Sequence, residues 1–150
     1  MQPPPILLEP RTAAFLAHAR VAHLATANRQ GRPHVVPIVF VVLEGRLYSA
    51  LDAKPKRVDA RRLRRVRNVL ENPEVAVVVD HYDEDWSRLG YVLLQGAARL
   101  LDAPEETAPA LAALREKYPQ YAAEPYTLTD APLLVLEPQR VVTWGNLAVA

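Results

Sequence analysis

The sequence predicts a mainly β (α+β) domain: six antiparallel strands closed into a barrel, with helices at its flanks, as one unit over residues 1–150. Three observations predict it. Strand-like segments follow one another through short turns, which imposes antiparallel pairing. Most of these segments are apolar on both faces, which favours closure over an open sheet with bare edges. Helical stretches punctuate them in the order helix, three strands, helix, two strands, helix, strand.

PRTAAFLAHA (10–19) is alanine-rich with Phe15 and Leu16 to bury, and reads as a short helix. RVAHLATAN (20–28) is a strand, and Gly31 and Pro33 make the following turn. HVVPIVFVVL (34–43) is almost wholly β-branched or aromatic, a strand covered on both sides. Glu44-Gly45 joins it to RLYSAL (46–51) as a hairpin. From Asp59 to Glu71 the period becomes helical: Leu63, Val66, Val69 and Leu70 share a face, Asp59 is the N-cap, and Asn72-Pro73 ends the helix. VAVVVDHY (75–82) and YVLLQGAARLL (91–101) are strands, and Gly96 inside the second marks a bulge or a close backbone approach. A third helix spans 104–118, capped by Asp102 or Thr107, and LLVLEPQRVVTW (133–144) is the last strand.

Half the residues are apolar and 23% are charged, the balance of a soluble globular protein. With no cysteine, disulfides, thiolate metal sites and cysteine nucleophiles are excluded. MQPPPILLEP lacks the basic segment and apolar core of a signal peptide, and no apolar run nears a membrane span, so a cytoplasmic location without membrane contact is expected. Fourteen prolines, nearly twice the usual share, fall mostly at element edges.

Charge is the informative feature. Between residues 54 and 67 stand Lys54, Lys56, Arg57, Arg61, Arg62, Arg64, Arg65 and Arg67 against Asp59 alone, a local +7 in a chain of net charge +1. Such crowding repels itself unless an anion visits. One reading is a solvated helix face, the default for arginine. A second is nucleic-acid binding, disfavoured because no aromatics interleave with the cations and the chain as a whole is close to neutral. The favoured reading is a pocket for a phosphorylated small molecule, since arginine forks and lysine ammoniums both suit phosphate oxygens. A helical wheel turns Arg62 and Arg67 toward the protein body.

HLATANRQGRPHVVPIVFVV, then LYSALDAKPKR, then RVRNVLENPEVAVVV resemble the pyridoxamine 5′-phosphate oxidase-like split β-barrel flavoproteins, over roughly residues 12–145. The block DAKPKR…NPEVAVVVDHYDEDW is most similar to the branch that uses the deazaflavin coenzyme F420. The resemblance implies an FMN-binding-protein-like split barrel, a homodimer with cofactor between subunits, and hydride transfer to or from a small unsaturated substrate. It places Pro37, Ile38 and Val39 along the ring and Ser49 and Ala50 near the ribityl chain. It implicates Lys54, Lys56, Arg57 and, aligned on Asn68 to Pro73, Arg65 at the phosphate. FMN in place of F420 is the alternative, or a non-enzymatic carrier or haem-binding relative. The residues that grip a pyridoxal-type phosphate have no counterpart, so pyridoxamine phosphate oxidation is not expected.

Other constellations are weak. His18, His23, His34 and His81 have no metal-ligand spacing, and DHYDEDW lacks the glycine of a calcium loop. No dinucleotide fingerprint or nucleophile elbow is present. Tyr82 and Tyr91 are conceivable proton donors and Trp86 and Trp144 conceivable lids, though packing is the commoner role.

Overall fold

The computed structural model describes residues 6–51 and 59–149. Ten elements carry the fold: α1 (Pro10–His18), β1 (Ala22–Ala27), β2 (Pro33–Ile38), β3 (Val41–Leu43), β4 (Arg46–Ala50), α2 (Arg64–Glu71), β5 (Glu74–His81), β6 (Gly90–Leu101), α3 (Pro104–Lys117) and β7 (Leu133–Gly145). The strands form one antiparallel sheet in the order β2-β1-β5-β6-β7-β4-β3. The two edge strands, β2 and β3, are neighbours in sequence, separated only by Val39 and Phe40. Laid flat, seven strands would hold those edges about 29 Å apart, whereas the chain from Ile38 to Val41 spans at most about 11 Å. The sheet must therefore curl until its edges approach each other, which makes it a split barrel.

The strand expected over 34–43 is thus two strands, and the sheet has seven rather than six. Side-chain pattern cannot reveal this break, because the chain changes partner rather than character: β2 pairs with β1 and β3 with β4. Phe40, wholly buried, is the corner. The helix expected over 59–71 is also interrupted. Asp59 caps a 3-10 turn at Ala60–Arg62 by accepting from the Arg61 N–H at 3.0 Å, Leu63 is extended, and α2 starts only at Arg64. The break shifts the helical phase, so Val66, Asn68 and Val69 are buried while Leu70 is 57% exposed. At α3 neither expected cap operates, because Pro104 opens the helix and Asp102 turns to Arg61.

The bulge expected at Gly96 is present. The β6–β7 register shifts between Gln95 and Gly96, and a Cβ on Gly96 would overlap the Glu137 carbonyl. Inward residues such as Leu24, Val77, Val92, Leu94 and Leu136 fill the barrel, with Phe15 and Leu16 of α1 and Val66 and Val69 of α2 in the same cluster. A second cluster lies on the outer face, where Leu111 and Leu114 of α3 cover Val41, Ala50, Leu133 and Val135.

The corner is clamped at the end of α3. The Tyr118 hydroxyl accepts from the Phe40 N–H at 3.1 Å and lies 3.0 Å from the Arg20 carbonyl and 3.1 Å from that of Phe40. Lys117 Nζ donates to the Leu16 carbonyl at 3.1 Å and sits 3.9 Å from the centre of the Phe40 ring. Removing the clamp in Tyr118→Phe strands the buried Phe40 N–H, a cost of about 1–3 kcal/mol. Thermal denaturation should show a fall in Tm of roughly 2–10 °C.

Burial, followed by the charge of Arg20, lowers the Lys117 pKa from 10.5 to about 8. Between those values the unfolded chain keeps a proton that the folded protein releases, so stability rises with pH through that window. Tyr118 moves the other way, raised chiefly by burial, and its contribution is lost only above its ordinary value of 10. Melting at about pH 7.5 and pH 9.5 should therefore show the higher Tm at the higher pH, a difference that Lys117→Met abolishes.

Candidate functional site

The barrel interior is packed. Leu24, Ile38, Leu47, Ser49, Val77, Ala98, Leu134 and Leu136 enclose a void of about 10 Å³, barely one water. The interior therefore has no room for a planar ligand. Strand alternation sets what β2 and the following residue present: Pro37 faces outward and is exposed, Ile38 points into the barrel, and Val39 packs half-buried against the α3 cluster.

The β3–β4 hairpin, with Val41 opposite Tyr48, brings the link after β2 against the end of β4. Ser49 is buried, and its hydroxyl donates to the Val39 carbonyl at 2.9 Å across that seam. Ala50 faces the opposite way, under α3. Lys54, Lys56 and Arg57 follow within a few residues but lie outside the described residues. Their segment leaves at Leu51 and returns at Asp59, and both residues line one cleft of about 400 Å³. Its other walls come from Ala60 and Arg61, from Leu100 to Thr107, and from Thr127 to Pro132. The Leu51 N–H donates to the Pro132 carbonyl at 2.9 Å, which fixes the departing strand, and Arg61 meets Asp102 at 3.0 Å.

Among the arginines of the basic stretch, the structure reverses the wheel. Arg62 and Arg67 are exposed, whereas Arg65 is half-buried. The extended residue Leu63 resets the phase, so a wheel drawn from Asp59 points the wrong side chains inward. Sequence reasoning also passed over Asn68. It is 1% exposed and its Nδ2 donates to the buried Thr26 hydroxyl at 2.9 Å, which pins α2 to β1 less than one turn from Arg65. A lone asparagine between Val66 and Val69 was the available signal, since a polar group there needs a buried partner.

A second cleft, of about 700 Å³, lies where α1 meets the ends of β1 and β5, and three of the four histidines line it: His18, His23 and His81. Their separation in sequence hid this. Among the described residues, no group of three His, Asp or Glu side chains is arranged to hold a metal ion. Tyr91 stacks on Trp144 at 5.8 Å between ring centres, while Tyr82 and Trp86 are exposed.

A family model described as pyridoxamine 5′-phosphate oxidase matches residues 8–145. The 5a,11a-dehydrotetracycline/5a,11a-dehydrooxytetracycline reductase of Streptomyces rimosus is 32% identical over 132 residues, covering 87% of this chain and 78% of that protein. Two solved structures share the fold. A conserved hypothetical protein of Mycobacterium tuberculosis superposes with a TM-score of 0.70 at 19% identity, covering 97% of this chain and 89% of the other. The haem storage protein HutZ of Vibrio cholerae also gives a TM-score of 0.70, at 20% identity, with coverages of 93% and 95%. No helix among the described residues is long and apolar enough to cross a membrane.

Proposed function

The chain belongs to the pyridoxamine 5′-phosphate oxidase family, and from that premise we propose that it is an F420-dependent oxidoreductase acting as a homodimer. The observation that carries this reading is the seam: Val39 and Ser49 meet there, and the segment of Lys54, Lys56 and Arg57 departs from it. Similarity to a reductase of dehydro compounds supports reduction of a small unsaturated organic substrate. A single phosphate, as in FMN, uses few of the eight cations between residues 54 and 67, whereas F420 adds an acidic tail that can occupy more of them.

The residues present fit such a cofactor. The interior is closed to a ring, and β2 is an edge strand whose outer backbone groups are free of the sheet ladder, so they can pair with polar atoms on a ring's rim. When bound, the deazaflavin supplies the hydride chemistry. The chain supplies the rest. Lys54, Lys56, Arg57 and Arg65 anchor the phosphate, Pro37 to Val39 wall the ring, and Ser49 and Ala50 stay small enough to let the linking chain pass. The dimer reading rests on the outer face of β2, β1, β5, β6 and β7. Ala25, Val78, Leu93 and Val142 are half-buried there, Val35 is 64% exposed and Trp144 is 53% exposed. That apolar area is typical of a surface that a second copy covers.

Titrating the apoprotein with F420 and with FMN, read by fluorescence, tests the cofactor. Tight F420 binding with weak FMN binding is expected; binding of neither would sink the proposal. Lys54→Ala/Lys56→Ala should weaken binding at least roughly tenfold, and Arg65→Ala should cost more than Arg62→Ala. Unchanged affinity in the folded double variant would move the phosphate elsewhere. Light scattering should give twice the 16.7 kDa chain mass, and Val78→Glu should return a folded monomer.

A further inference from the structure

The histidine cleft combines two kinds of wall. Phe15, Ala19, Val21, Ala148 and Val149 give it apolar surface, and its volume of about 700 Å³ is within the range of small-molecule sites. Its cations come from separate elements: His18 ends α1, Arg20 lies in the link to β1, His23 is on β1, His81 ends β5, and Arg88 follows the acidic loop. Asp80 and Asp83 are the anions that line it. Asp83 is already engaged, with Oδ2 at 3.8 Å from Arg88 and 3.9 Å from His81. With neutral histidines the two arginines balance the two aspartates. Each imidazole adds a ring N–H that can donate to an anion.

Arg20 is fixed in place. Its guanidinium donates to the Lys117 carbonyl at 2.8 Å and stacks 4.6 Å from the centre of the Tyr118 ring. A cation held this way loses little side-chain entropy when it meets an anion. His23 lies opposite Pro37 in the β1–β2 register, and both side chains are exposed on the outer face. The cleft therefore opens beside the strand to which the ring was assigned above.

We infer that this cleft binds an organic anion with a compact apolar body, a carboxylate or enolate on an aromatic or alicyclic skeleton. The body lies on Phe15 and Val21, and the anionic group lies among Arg20, His23 and Arg88. Calling this ligand the substrate rests on the oxidoreductase reading; the binding itself needs no cofactor.

The test uses the whole apoprotein and 2-naphthoate as the probe, read by the imidazole carbon–proton NMR signals. Histidine-to-glutamine variants assign the signals. His18, His23 and His81 should shift on titration, and His34, outside the cleft, should stay put. Arg88→Gln should weaken binding by at least roughly fivefold, and the uncharged 2-naphthylmethanol should bind far less tightly. No shift, equal shifts at His34, or equal binding of the alcohol would each overturn the inference. Naphthoate binding without F420 or FMN binding would sink the oxidoreductase reading alone, and the converse would sink only this one.

Discussion

Two residues, Val39 and Phe40, join the opposite edges of the sheet, and most of the architecture follows from that short covalent link. A seven-stranded sheet with its edges tied so closely has to curl, and curling brings the inward side chains together until almost no internal volume remains. The chemistry is thereby expelled to the outside. The β3–β4 register, with Val41 opposite Tyr48, sets the link after β2 against the end of β4 and permits the Ser49–Val39 hydrogen bond. The corner itself leaves sheet pairing behind, so its backbone needs other partners. Tyr118 provides them through one hydroxyl, and Lys117 and Arg20 pack around it. A cation whose burial lowers its pKa to about 8 is the cost of placing Lys117 over Phe40, offset by its bond to Leu16.

Much of this was legible in the sequence wherever the cause is local. Apolar, β-branched runs marked the strands, Glu44-Gly45 marked the hairpin, and Gly96 marked the bulge because only a residue without Cβ tolerates the Glu137 carbonyl there. What stayed hidden depends on partners far away in the chain. PHVVPI and VVL have the same residue types and differ only in which strand they pair with. Leu63 has the helix-forming side chain that a wheel expects, yet it is extended and splits the helix. His18, His23 and His81 share a cleft through three different elements, a juxtaposition without any spacing to read.

Those two kinds of hidden information bear differently on the site. The resemblance implied Val39 and Ser49 as separate site positions, and the fold joins them by one hydrogen bond. Ser49 spends its hydroxyl on a backbone carbonyl, and Ala50 lies beneath α3. Small side chains at both positions therefore serve the packing of the seam whatever passes over it. The same holds for Asn68, whose bond to Thr26 fixes α2 and with it the direction in which Arg65 leaves the helix.

Charge then separates scaffold from site. An exposed pair such as Arg61–Asp102 contributes little in water, so it does not cancel a local +7. Repulsion of that size is tolerable only where folding energy comes from elsewhere, and the apolar contacts of Val66 and Val69 with the barrel supply it. The described arginines, from Arg61 to Arg67, are thus carried by a segment that two valines and one asparagine hold in place, and Arg61, Arg62, Arg64 and Arg67 stay exposed. A scaffold arranged this way keeps its fold when an exposed cation is removed. That separates loss of binding from loss of structure in any charge-removing variant, and it is the reason Arg62→Ala is an informative control for Arg65→Ala.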